Sequence, residues 1–568
     1  MTPLAIAKQL GISSLLAAAL VAQAASPARA DHPDGPRPVA GPRLVVVLVH
    51  DQTHADFLVR LRPHFGAGGF VRLVDGGARF TECHIPYVPT TTGPGHATLG
   101  TGAAPRGHGI VGNSWYERAE SALVACDEDR AARPVPADAA RGGSPRRLRA
   151  QTVGDVLRGA TLGAARVVGI SEKPRAAILP AGHRATAAYW LDDRTGLMQT
   201  SSYYMEGLPA WAATANAARH PERAAAAPWT PLLPPRAYRG TEGGAVGGGP
   251  AFAHALRGPG APRGTPGLNA ITQSPWALER LYDFARAAVV GEGLGADEAP
   301  DLLVLSVSVT DRVGHLFGPR SPEILDLMVR ADRELARFLD FLDARTGGRC
   351  TVVLAADHAA GDMSAPGRER ASVSGDPAGA VSDSAFRAWV DGAVREAFGL
   401  GAAPSGAAAS FLAGQGDATL WLDPAALAAA GLTPAQAAAA LTDPLRAAPW
   451  LAVARTPEQL EQGGALSAVE ERLRRGCHPG RSGDLMWALR PYCYPGGGDA
   501  HGEHGSPYPY DTHVPLVLYG WGVRPGAQRA PVTTADIAPT VAALLGVDAP
   551  AQCEGRALIE GLRLPVGW

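Results

Sequence analysis

The run RLVVVLVHD, residues 43–51, decides the fold. From Leu44 to Val49 every residue is apolar, with no alternation. A strand solvated on one face alternates, whereas one covered on both faces reads as a continuous apolar run. Four further stretches have the same character: ARVVGIS (165–171), DLLVLSVSVTD (301–311), CTVVLAADH (350–358) and VPLVLYG (514–520). Between them lie patterns of helical period. In SPEILDLMVRADRELARFLDFLDA (321–344), Ser321 is an N-cap and Pro322 occupies the first turn. Ile324, Leu325, Met328, Ala331, Leu335, Phe338 and Leu342 then mark one apolar face. Strand and helix in succession predict an α/β fold, a central mostly parallel sheet flanked by helices.

Two stretches break the rhythm. Residues from about 176 to 265 are rich in Pro, Gly and aromatics, and those from about 400 to 475 contain an Ala-rich segment that reads as strand, helix, strand. Both are expected as cap insertions over the core. Residues 1–30 read as an export signal: Lys8, the apolar run LGISSLLAAALVAQAA, then small-residue cleavage options. Residues 31–568 are expected to form the mature catalytic domain, periplasmic or secreted, with no stable membrane insertion. Six cysteines suit an oxidising compartment, and the pair Cys477 and Cys493, flanking a Gly/Pro/Arg loop, is the expected disulfide.

The chain of 568 residues, 46% hydrophobic and 19% charged, has a globular composition. Its 52 basic and 54 acidic residues give a net charge of −2, so no global basic field recruits nucleic acid. An anionic substrate must be held locally.

The ends of the buried runs carry the chemistry. Asp51 follows the first, Asp311 the third, and Asp357 with His358 the fourth. In an open α/β sheet the carboxyl ends of the strands converge on one crevice. His315 lies four residues after Asp311, on the same side of a helical turn. DAHGEHGSPYPYD (499–511) brings His501 and His504 just before the last strand. Three aspartates and three histidines suffice for two zinc ions, an arrangement suited to in-line displacement at phosphorus. In YVPTTTGPGHATLGTGAAPRGHGIVGN (87–113), Thr92 would then sit at a strand-to-helix turn, where backbone N–H groups favour an anion and a hydroxyl can serve as nucleophile.

These motifs, with SEKPRAAILPAGHRATAAYWLDDRTGLMQTSSYY (171–204), SVTDRVGHLFGPRSPEILD (308–326), AADHAAGD (355–362) and HGSPYPYDTHVPLVLYG (504–520), resemble the alkaline phosphatase superfamily, most closely its bacterial PafA-type members. The resemblance runs from about residue 44 to the C-terminus. It implies one zinc held by Asp311, His315 and His504, and a second held by Asp51, Asp357 and His358 together with the hydroxyl of the nucleophile Thr92. It further implies that Asn113, Lys173 and Arg175 contact phosphate oxygens. His504 is preferred over His501 because it opens the HGSPYPYD match. His50, His54, His96 and His108 are expected to pack or to support ligands. The expected activity is that of a zinc-dependent phosphomonoesterase acting on small phosphate monoesters through a phosphothreonine. A phosphodiesterase or nucleotide pyrophosphatase on the same fold is the alternative, and a non-catalytic binding protein a third reading.

Overall fold

In the computed structural model Leu44–His50 forms the central strand β1, buried along its whole length. The structure describes residues 41–218, 228–241, 252–256, 271–364, 369, 378–401, 410–462, 464–496 and 500–563; the expected export signal lies outside them. The strands that matter here continue as β2 (Ala78–Phe80), β3 (Pro134–Val135), β4 (Val167–Ser171), β5 (Ala187–Leu191), β6 (Met198–Ser201), β7 (Asp301–Val307) and β8 (Cys350–Ala355). A second sheet uses β9 (Leu412–Gln415), β10 (Thr419–Leu422), β11 (Leu451–Arg455) and β12 (Leu485–Leu489), after which β13 (Leu516–Gly520) and β14 (Gly526–Gln528) return to the first.

The main sheet runs β14-β2-β13-β8-β1-β7-β4-β5-β6-β3. Its centre, β8-β1-β7-β4-β5, is parallel, and β8–β13 and β5–β6 are antiparallel. The α/β architecture therefore matches the expectation. Register brings the strand ends level: His50 faces Val307, Val49 faces Ala355, and Ser306 faces Ser171. Residues that follow these strands must emerge at one edge.

The continuous apolar run of β1 has a direct cause. Leu44, Val46 and Leu48 belong to one apolar cluster, and Val45, Val47 and Val49 to another on the opposite face. Each such side chain contributes roughly 1.5–3 kcal/mol when fully buried. The first cluster includes Ile324, Leu325, Met328, Ala331, Leu335, Phe338 and Leu342 of the helix Pro322–Thr346. That helix starts where expected, with the Ser321 side chain accepting from the Ile324 N–H at 3.1 Å, and Gly347 ends it at φ 63°.

Three expectations need correction. The stretch from about 176 does not begin as a cap: the helix Pro174–Ala181 packs on the sheet, and β5 and β6 extend it, with β5 buried throughout. Its aromatics Tyr189 and Trp190 are core residues. Between β10 and β11 there are two helices, Pro424–Ala429 and Pro434–Leu441, because Gly431 takes φ 73° and Thr433 opens the second with a capping box to Gln436. The Ala-rich segment as a whole belongs to the second sheet, which has its own apolar cluster around Phe386, Leu420 and Trp487. Finally, Cys477 and Cys493 form no disulfide. Cys477 packs with Val88 and Met486 while Cys493 joins the cluster of Phe386 and Trp487, so the intervening loop does not bring them together.

Candidate functional site

At the level edge of the parallel strands, Asp51, Asp311, Asp357 and His358 are all buried. Asp51 Oδ1 lies 3.3 Å from His358 Nε2, which is 3.5 Å from Asp357 Oδ2. His315 Nε2 is 3.2 Å from Asp311 Oδ1 and 3.2 Å from His504 Nε2. The rings of His358 and His504 stack at 3.7 Å. Asp51, Asp357 and His358 form one set of convergent donor atoms, and Asp311, His358 and His504 form another. His358 thus stands between the two groups, with His315 beside the second. His501 is in neither set.

The donors fit a pair of cations. Asp51 Oδ1, Asp357 Oδ1 and His358 Nε2 are buried and make no hydrogen bond among the described residues, a costly state for carboxylate oxygens with nothing to satisfy them. Each imidazole turns Nδ1 to a backbone carbonyl: His315 to Gly502 at 2.8 Å, His504 to Thr90 at 2.8 Å, His358 to Ala359 at 3.1 Å. That bond fixes the tautomer and leaves Nε2 as the inward-facing lone pair, the usual arrangement of metal-ligating histidines. Carboxylates with imidazoles accept several divalent ions, zinc among them.

Thr92 opens the helix Thr92–Thr101, with Thr91 extended before it. Close packing holds this helix to β8: a Cβ on Gly95 would lie 2.5 Å from the Asp357 carbonyl oxygen. His96 reinforces the contact, donating from Nδ1 to the Thr92 carbonyl at 2.9 Å, with Nδ1 also 3.2 Å from Asp357 Oδ2. Lys173 follows β4 directly and reaches into the cluster. Its Nζ donates to Asp51 Oδ2 at 2.8 Å, Asp311 Oδ2 at 2.5 Å and Thr92 Oγ1 at 3.2 Å. Asn113 accepts from the Gly93 N–H through Oδ1 at 2.8 Å, which aligns it with the start of the same helix. Arg175, partly buried, has an Nε that makes no hydrogen bond among the described residues.

Electrostatics follow the geometry. Burial and the neighbouring Asp357 push the Asp51 carboxyl up to about 6 in spite of Lys173. Burial acts the same way on Asp311, but the ammonium of Lys173 and the His315 imidazole hold it well below the ordinary carboxylate range. Burial, with His358 and His315 alongside, keeps His504 well below the usual imidazole value. It opposes protonation of His315 too, yet Asp311 and Glu503 hold that ring well above it.

The other histidines pack or support. His50 sits edge-on to Phe70, His54 edge-on to His513, and His108 lies 3.2 Å from Thr98 Oγ1. Sequence reasoning missed Gln52, whose Nε2 donates to Asp311 Oδ1 at 2.9 Å from a backbone at φ 62°. It also missed Glu172, which accepts the Ser308 N–H at 2.7 Å, and Asp417, reached from the second sheet. Gln52 and Glu172 adjoin residues already singled out, so adjacency was a usable signal. Asp417, in the β9–β10 turn, had none.

Residues 45–376 match the family model described as Type I phosphodiesterase / nucleotide pyrophosphatase. The chain is 33% identical to alkaline phosphatase PafA of Elizabethkingia meningoseptica over 92% of its own length and 95% of that protein. It is 32% identical to alkaline phosphatase PhoV of Synechococcus elongatus, over 93% and 94%. The crystal structure of wild-type PafA matches with a TM-score of 0.83 at 31% identity, covering 93% of this chain and 100% of that one. A buried cluster of aspartates and histidines at the sheet edge, a threonine at a helix start and these likenesses together place the chain in the type I phosphodiesterase/nucleotide pyrophosphatase family of the alkaline phosphatase superfamily, as a relative of its bacterial PafA-type members.

Proposed function

We propose that this chain is an alkaline phosphatase that hydrolyses phosphate monoesters, with Thr92 as nucleophile and two zinc ions as cofactors. The observation that carries the reading is the position of Lys173 Nζ, within hydrogen-bond reach of Thr92 Oγ1, Asp51 and Asp311 at once. Asp51, Asp357 and His358 would hold one ion and Asp311, His315 and His504 the other; when bound, they supply Lewis acidity at the attacking and departing oxygens. Thr92 Oγ1 attacks phosphorus in line and the alcohol departs, leaving a phosphothreonine. Water then attacks the same phosphorus, releasing inorganic phosphate and restoring the hydroxyl. Lys173, as a point charge, and Arg175, as a fork of N–H donors, take the non-bridging oxygens, with Asn113 adding a neutral donor. Export to the periplasm or medium belongs to the same proposal and rests on the sequence of residues 1–30. No helix among the described residues is long and apolar enough to cross a membrane.

The family description favours a diesterase as the second reading. A monoester dianion carries about one more negative charge than a diester, and Lys173, Arg175 and Asn113 form a donor set suited to it. Oriented donors of this kind are typically worth about 3 kcal/mol each in the transition state. The test compares kcat/KM for an aryl phosphate and its methyl diester in wild type and in Lys173→Ala/Arg175→Ala. A monoester loss of about ten-thousandfold with a much smaller diester loss is expected. Equal losses would return the diesterase reading to first place.

A further inference from the structure

Beside the site lies a cavity of about 270 Å³ that the chemistry above leaves unassigned. His315, His504 and Asn113 form its inner side, and Trp487 and Leu489 of β12 form part of its outer wall. Given the monoesterase reading, on which this inference rests, phosphorus sits against Asn113 and the departing alcohol faces the His315–His504 side. The cavity is then the space available to that alcohol.

Its chemistry is one-sided. Met363, Trp487 and Leu489 give it an apolar wall, while Asp417 and Glu503 supply carboxylates; burial holds the third acid, Asp511, well above the ordinary carboxylate range. No lysine or arginine lines it among the described residues. Three buried polar atoms of the lining residues make no hydrogen bond among the described residues: Thr91 Oγ1, Asp511 Oδ1 and Trp487 Nε1. Asp417 accepts from the Asn113 N–H at 3.4 Å, which on this reading sets it beside the phosphate. Burial raises the Asp417 carboxyl above its ordinary value, against the lowering effect of the Asn113 N–H, the Thr91 hydroxyl and the Arg175 guanidinium; on the monoesterase reading the phosphoryl group engages that guanidinium in the complex.

We propose that this cavity selects the alcohol half of the substrate by charge. It favours phosphate monoesters whose alcohol joins an apolar body to an ammonium group, and it disfavours alcohols bearing a second anion. Asp417 contributes most to the choice, because Glu503 is already engaged with His315, 3.4 Å away. An aromatic wall beside carboxylates is a setting in which a desolvated ammonium is attracted by both. At the separations such a cavity allows, each unit of charge on the alcohol is expected to change kcat/KM by about tenfold.

The experiment uses the zinc-loaded full chain and three benzyl phosphates differing only at the para position: aminomethyl, methyl and carboxylate. The expected order of kcat/KM is aminomethyl, then methyl, then carboxylate, spanning about a hundredfold. In Asp417→Asn the ratio of the first to the last shrinks by about tenfold, whatever happens to the absolute rates. Raising salt from about 20 to about 500 mM in wild type shrinks the same ratio, which keeps the test open should the variant not fold. Turnover of all three within about threefold of one another, or a reversed order, overturns the charge selection and leaves the monoesterase reading standing. Failure on all three with turnover of an aryl methyl diester overturns the monoesterase reading, and this inference with it.

Discussion

Gly95→Ala tests whether Thr92, the proposed nucleophile, is held by helix packing against the backbone at Asp357, just past β8. An added Cβ would stand 2.5 Å from the Asp357 carbonyl oxygen and 2.7 Å from the Asp357 Cβ. Ordinary contacts of this kind are about 3.4 Å or longer, so the helix Thr92–Thr101 and the Asp357 backbone must separate by about 1 Å. Neither partner is the end of a flexible side chain. Overpacking of this sort costs about 1–3 kcal/mol of stability. Thr92 lies one turn before Gly95, so the same shift moves Oγ1 away from Asp51, Asp357 and His358. A misplacement of about 1 Å at a reacting atom is worth about a hundredfold in rate. The expected outcome is a fall of about a hundredfold in kcat/KM for an aryl phosphate, with a lowered Tm and zinc still bound. Gly392→Ala is the control: its Cβ meets nothing within 4 Å among the described residues, inside the helix Asp383–Ala397. It should leave activity alone and add up to about 1 kcal/mol. If Gly95→Ala keeps kcat/KM within about threefold of wild type, the site does not depend on this contact and the packing argument is wrong.

Thr92→Ala should abolish the phosphoprotein seen by intact mass after rapid acid quench, whereas Thr91→Ala should retain it; identical behaviour would mean that the wrong threonine was chosen. Chelation should remove activity and zinc should restore it, checked by metal content against rate; full turnover without metal would reject the ligand set. Glu172→Gln tests a buried charge. Burial raises the Glu172 carboxyl from 4.5 to about 7. The unfolded chain therefore releases its proton at lower pH than the folded one, and the cost of the buried carboxylate is absent below 4.5 and fully present above about 7. The variant should gain up to about 3 kcal/mol at pH about 8 and almost nothing at pH about 4. Equal gains at both pH values, by denaturant melts, would contradict that assignment.

The strands were legible because β1, β4, β7 and β8 are covered on both faces, and full burial leaves a period-free apolar run. The same residues announced the site, since Asp51, Asp311, Asp357 and His358 follow the carboxyl ends of strands that a parallel sheet brings level. Residues 176–201 were misread because Pro, Gly and aromatic content marks turns and insertions as well as edge strands of a core. The Cys477–Cys493 pairing failed because nearness in sequence across a loop does not decide which apolar cluster each thiol joins.

By itself the sequence determined the α/β class, the threonine at a helix start and the composition of the acid and histidine set, all properties of local runs and short spacings. Only the tertiary structure decided that His358 stands between the two donor groups, that Lys173 reaches Asp51, Asp311 and Thr92 together, and that Asp417 comes from the second sheet to the Asn113 N–H. Those relations join residues far apart in the chain. They depend on strand register, on a glycine thin enough to let a helix touch a strand, and on where an inserted sheet docks, none of which leaves a periodic trace in the chain.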